Sequence, residues 1–162
     1  MIRDATGGDA AAIATIWNHY IRDTAVTFNA AEKPVAEVVE LIAARQAAGR
    51  AFLVAEADGR VQGFATYDQF RGGIGYAHAM EHTIHLAPDA RSRGIGARLM
   101  YRVEMQAKAA GAHVVVAGVS AENSAGLGFH AAMGYVQVGM MPEVGYKFGR
   151  SMNLVLMQKI LS

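Results

Sequence analysis

The chain has 162 residues, 52% hydrophobic and 18% charged, which is enough apolar material for a core and too little charge for a disordered segment. It has no cysteine, which excludes a disulfide scaffold, a thiolate metal site and a cysteine nucleophile. Fifteen basic against fourteen acidic side chains leave a net charge of +1, so no nucleic-acid partner is expected.

The length suits one domain, 1–162. No apolar run approaches the ~20 residues of a membrane span. Arg3 and Asp4 stand where a secretory leader would turn apolar, so a cytoplasmic protein without membrane contact is expected.

Residues 2–5 read as a first strand. Thr6-Gly7-Gly8-Asp9 reads as a capping box, and Ile13, Ile16, Trp17 and Tyr20 recur behind it at helical spacing, giving a helix over about 8–20. Pro34 suits the first turn of a second helix, with Val35, Val38, Val39, Leu41 and Ile42 as its apolar stripe and Gly49 as its stop. Strands at 51–57 and 61–68 flank Asp58-Gly59, a hairpin turn. After the glycine-rich loop 71–75, a third long strand covers about 76–87 and ends before Pro88. A helix runs from Gly94 to about Ala110 with Ile95, Leu99, Val103 and Ala107 on one face. Residues 113–119 form a buried strand, Asn123 or Ser124 caps a short helix to about Met133, and strands near 135–140 and 152–160 follow. The order β-α-α-β-β-β-α-β-α-β-β describes an α/β (α+β) chain.

The chemistry concentrates in residues 81–99, where a strand enters a basic, glycine-bearing turn that opens a helix. A helix N-terminus offers unpaired N–H groups and about half a positive charge. Gly94 and Gly96 let that backbone approach a bulky anion, and Arg91 and Arg93 add charge beside it. The pattern describes a phosphate or pyrophosphate cradle. Gly96-Ala97-Arg98 lacks the Lys and hydroxyl of a triphosphate loop, and Leu99 stands where a dinucleotide fingerprint needs its third glycine. His78, His82 and His85 would align on a helix but not on a strand, so no metal site is expected.

Arg91-x-x-Gly94-x-Gly96-Ala97 matches the Gln/Arg-x-x-Gly-x-Gly/Ala signature of the GNAT superfamily of N-acetyltransferases. The segment from Asn123-Ser124-Ala125 to Phe129-His130-Ala131-Ala132-Met133-Gly134-Tyr135 resembles their second motif, an Asn-led helix ending in a Gly-aromatic pair. Ile16-Trp17-Asn18-His19-Tyr20, Glu81 and Val144-Gly145-Tyr146-Lys147-Phe148-Gly149-Arg150 look most like the phosphinothricin and methionine-sulfoximine acetyltransferases. The resemblance spans nearly the whole chain. It implies the GNAT fold: a mixed, mostly antiparallel sheet of about seven strands flanked by about four helices, splayed between the fourth and fifth strands.

The same resemblance implies acetyl-CoA as co-substrate, a small amino-acid-like amine as acceptor, direct transfer through a tetrahedral intermediate, and a homodimer. Ile84, His85 and Leu86 would hold the pantetheine arm as an added strand does, with one N–H near Leu86 facing the thioester oxygen. Arg91, Ser92, Arg93, Gly94, Ile95, Gly96 and Ala97 would hold the pyrophosphate, and Asn123 would bond the arm or cap its helix. Glu81 is the expected base and His130 the expected acid, standing where many members have Tyr. Glu81 and His85 share a strand face but lie about 13 Å apart, so any link between them needs water. Arg71, Glu81, His82, Thr83 and Phe28 form the expected acceptor site, with Arg71 gripping a carboxylate. Two departures bear on the acceptor. Tyr76-Ala77 replaces a second Arg, and Ser151-Met152-Asn153 replaces Trp-Leu-Asp. The other readings are a protein N-terminal or lysine acetyltransferase on the same fold and a non-catalytic module that binds coenzyme A.

Overall fold

A computed structural model describes residues 1–90 and 93–162. The elements are β1 Ile2–Asp4, α1 Ala10–Asp23, α2 Val35–Ala47, β2 Phe52–Ala57, β3 Arg60–Gln69, β4 Ala79–Leu86, α3 Ile95–Ala109, β5 Val114–Ser120, α4 Ser124–Ala132, β6 Val136–Lys147 and β7 Arg150–Ile160. The strands form one sheet in the order β1-β2-β3-β4-β5-β7-β6. Every neighbouring pair is antiparallel except β4 with β5.

Phe52–Ala55 and residues 62–67 are buried without alternation, because helices cover both faces of β2 and β3. The α1 stripe of Ile13, Ile16, Trp17 and Tyr20 is buried as its spacing predicts, and so is the α3 stripe of Ile95, Leu99, Val103 and Ala107. The Asp9 carboxylate reaches back to the Thr6 N–H at 2.8 Å, as the capping box requires, although a single 3-10 turn over Gly7–Asp9 precedes the α-helix. Asp58 (φ 54°) and Gly59 (φ 70°) make the expected hairpin turn.

Two boundaries differ from the sequence reading. The fourth strand begins at Ala79 rather than near 76. Gly73 at φ 108° turns the chain into a 3-10 turn over Ile74–Tyr76, closed by the Tyr76 N–H on the Gly73 carbonyl at 3.1 Å. The sixth strand does not stop near 140 but resumes after a bulge and runs to Lys147. Glu143 sits at φ 57° in that bulge, and its N–H donates to Asn153 Oδ1 at 2.8 Å. Asn153 therefore gives one of the departing residues a structural task.

Candidate active site

The strands β4 and β5 pair only at Ala79, Met80 and Glu81, opposite Val114, Val115 and Val116. β4 then stays with β3 as far as Leu86, and β5 stays with β7 as far as Ser120. The two halves of the sheet part beyond Glu81, and a cavity of about 370 Å³ opens between them.

Hydrogen bonding on the β3 side fixes what β4 shows to this gap. The Ala87 N–H donates to the Gln62 carbonyl, and the Phe70 N–H to the Ala79 carbonyl. With Leu86 opposite Gly63 and Ile84 opposite Ala65, the antiparallel alternation turns the backbone groups of Ile84 and Leu86 away from β3. They face the gap. The Tyr20 hydroxyl takes up the Leu86 carbonyl at 2.5 Å, and its ring stacks on His85 with centroids 4.7 Å apart.

The far end of β4 leads into α3. Gly94, at φ 73°, stands at its N-cap, and no side chain among the described residues caps it. The first N–H groups of the helix have no partner within the helix, and Arg93 is exposed beside them. Gly96 packs where a Cβ would come within 3.3 Å of the Phe129 ring and 3.5 Å of Leu86, so the helix start lies close to both β4 and α4. Ile95 is buried beneath it and Ala97 is exposed. Arg91 and Ser92, also expected here, lie outside the described residues.

Glu81 lines the cavity at the point where the strands part. The residue is exposed, but its carboxylate lies over Gly118, where a Cβ would stand 3.1 Å from Oε2. Partial desolvation there holds its pKa above the ordinary carboxylate range. His82, Thr83, Ile84, His85, Phe28, Asn123 and His130 also line the cavity.

On the opposite face of β4, His82 meets His130 of α4. Their Nε2 atoms are 3.0 Å apart and the rings stack at 5.0 Å. His130 Nδ1 lies 2.7 Å from the Gly126 carbonyl, which can only accept, so that nitrogen carries the hydrogen. Neutral His130 then accepts at Nε2, and His82 Nε2 donates to it. This leaves His82 Nδ1 as a buried lone pair without a hydrogen-bond partner among the described residues. Burial first, and then the neighbouring histidines, push His82 down to about 3, and burial also lowers His130. Both nitrogens of neutral His130 are therefore engaged. It can donate toward the cavity only after the pair gains a proton.

Asn123 caps α4, its Oδ1 accepting the Gly126 N–H at 2.9 Å. Asn123→Ala is expected to cost about 1 kcal/mol of stability, lowering the melting temperature by roughly 2–4 °C in a domain of this size. An unchanged melting temperature would deny the cap.

The three histidines weighed for a metal go separate ways: His78 bonds the Gly111 carbonyl, His82 pairs with His130, and His85 stacks on Tyr20. Arg71 is exposed in the loop before β4, its guanidinium 5.7 Å from the Tyr76 ring centre, and is not part of the cavity lining. Sequence reasoning missed Lys147, a buried ammonium on β6 that donates to the carbonyls of Thr24 at 2.6 Å and Thr27 at 2.8 Å. It anchors the loop that carries Phe28, whose ring occupies the space a side chain at Gly145 would fill. The alternation of buried Gly145 and Lys147 about exposed Tyr146 is a strand signal, but nothing local shows what the lysine holds.

Residues 13–135 match the model of the acetyltransferase (GNAT) family. The chain is 38% identical to an L-amino acid N-acyltransferase of Escherichia coli over 97% of its length and 91% of that protein. It is 35% identical to an L-methionine sulfoximine/L-methionine sulfone acetyltransferase of Salmonella typhimurium, over 97% of this chain and 92% of that one. Among solved structures, an acetyltransferase of Salmonella typhimurium with acetyl-CoA bound superposes with a TM-score of 0.96 at 34% identity, covering 100% of this chain and 94% of that one.

Proposed function

As this chain belongs to the acetyltransferase (GNAT) family, we propose that it moves the acetyl group of acetyl-CoA to the amine of a small amino-acid-like acceptor, of the methionine sulfoximine, methionine sulfone or phosphinothricin type. The observation that carries this reading is the parting of β4 and β5 just beyond Glu81, on the strand whose far end leads into the uncapped start of α3. β4 thus carries a base where the gap opens and runs on toward an anion cradle.

The residues fit acetyl-CoA. The α3 amides near Ile95 and Gly96 would receive the pyrophosphate. The gap-facing backbone groups of Ile84 and the Leu86 N–H would pair with the pantetheine arm, as an edge strand pairs with a peptide, while the Leu86 carbonyl stays with the Tyr20 hydroxyl. With the pyrophosphate at the α3 end, the arm runs back along β4 toward Glu81. The Ile84 N–H is then the gap-facing amide nearer the thioester, placed to donate to the oxygen that gains charge during attack.

Glu81 would accept the proton that an amino-acid amine carries at pH 7, directly or through one water. Its raised pKa makes it a better base than a solvated carboxylate. His130 would supply a proton to the leaving sulfur only from the protonated pair. A thiolate also leaves without help. The homodimer implied by the resemblance would form on the outermost strand β6, where Val138, Met140, Val144 and Tyr146 stand exposed, and the mass in solution decides it.

The test is release of free coenzyme A from acetyl-CoA with methionine sulfoximine, methionine sulfone, phosphinothricin and the ordinary amino acids. Release with at least one of the first three, well above the ordinary amino acids, is expected. Release with none of them would overturn the acceptor class.

A further inference from the structure

We propose that Lys33 is the anion anchor of the cavity, receiving the carboxylate of an amino-acid acceptor. The inference rests on the acceptor reading above and names the group that recognises the other end of the molecule.

Among the described residues, Lys33 is the lysine or arginine on the cavity lining. It stands in the loop between α1 and α2, with its side chain 17% exposed. Its position is fixed from α1 at two points. Asn18 brackets its backbone, with the Lys33 N–H donating to Asn18 Oδ1 at 2.7 Å and Asn18 Nδ2 donating to the Lys33 carbonyl at 3.0 Å. The ammonium lies 4.6 Å from the centre of the Trp17 ring, a cation–π seat on another lining residue. A lysine held at both ends loses little further freedom when a ligand arrives, which is the condition for a useful charge contact.

The ion pair that Lys33 makes in this structure is weak. Glu37, one helical turn on, approaches Nζ at 3.8 Å, and its side chain is 55% exposed. Such a pair contributes little in water, and an ammonium has three donors, so a second carboxylate can be received from the cavity side. Glu81 lines the same cavity. An amino acid carries one charge of each sign, and this lining offers a carboxylate to the amine and an ammonium to the carboxylate. Arg71 has no place on that lining.

The experiment compares L-methionine sulfone with its carboxamide as acceptors, in the full-length protein and in Lys33→Met and Lys33→Arg. Met keeps an apolar stem over Trp17 and removes the charge. Lys33→Met is expected to raise the KM for the acid by about tenfold to a hundredfold while the KM for acetyl-CoA stays within about twofold. The preference for acid over amide should collapse in Lys33→Met and return in part in Lys33→Arg. Equal losses on acid and amide, or an unchanged KM for the acid, would overturn the assignment. If the unmodified protein acetylates no amino acid at all, the acceptor class itself is wrong and the carboxylate anchor falls with it. Active protein with an indifferent Lys33 condemns the anchor alone.

Discussion

Glu81→Gln is expected to lower kcat by about a hundredfold to ten-thousandfold, the usual worth of a positioned general base, with acetyl-CoA binding by calorimetry unchanged within about twofold. Gln has the shape of Glu and fits the same place over Gly118. What it lacks is the capacity to take a proton from the acceptor amine. The groups assigned to acetyl-CoA lie further along β4 and at the start of α3, so its binding should not register the change. Turnover within threefold of the parent would remove Glu81 from the mechanism.

The pH dependence separates this role from a structural one. A base works when deprotonated, so kcat/KM should rise with pH through the pKa of Glu81 and then level. Desolvation places that midpoint above the ordinary carboxylate range, and the limb should vanish in Glu81→Gln. Stability runs the other way. A carboxyl whose pKa is raised on folding binds its proton more tightly in the folded state, so its contribution is present at low pH and lost as pH rises through the raised value. At neutral pH the uncharged Gln should therefore leave stability unchanged or slightly higher. Lost activity without lost stability is the expected signature.

Strand alternation made part of this site legible. It put Glu81 on one face of β4 and His82 on the other, and the structure has Glu81 over Gly118 and His82 against His130. The α3 start was legible because glycines between a strand end and an apolar helix stripe have a local cause. The contact of His82 with His130 was not, since those residues lie 48 positions apart and nothing in either neighbourhood announces the other. The second half of β6 was hidden by Pro142 and the left-handed Glu143, which break the alternation before Gly145 restores the pairing. Lys33 was invisible for another reason. A lone lysine before a proline reads as a solvated loop residue until Asn18 and Trp17 are folded around it. Arg71, expected at the acceptor from the resemblance, lies beside Tyr76 and off the cavity lining.

Acid should unfold this protein earlier than its carboxylates alone would dictate. His82 is held neutral and falls to about 3 on folding, and His130 is lowered too, whereas in the unfolded chain both return to about 6.5. The unfolded state therefore binds more protons below that value. Stability contributed by the neutral pair is complete above about pH 6.5 and is lost as pH falls toward the folded-state values, by up to about 1.4 kcal/mol per pH unit for His82, with a further loss from His130 in the same direction. Total stabilities of 5–15 kcal/mol are usual, so the fall from pH 6.5 to 4.5 takes a large share. The Asp9 carboxylate is lowered to about 2 by its hydrogen bonds from Arg3 and adds its own loss only below about pH 4, outside this window. Urea unfolding at pH 7, 6, 5 and 4.5 measures the slope. His82→Gln keeps an N–H to offer His130 but cannot take a proton, so the slope over that range should fall. An identical slope in His82→Gln, or flat stability from pH 7 to 4.5 in the parent, would mean that the pair is already protonated or that water reaches His82 Nδ1.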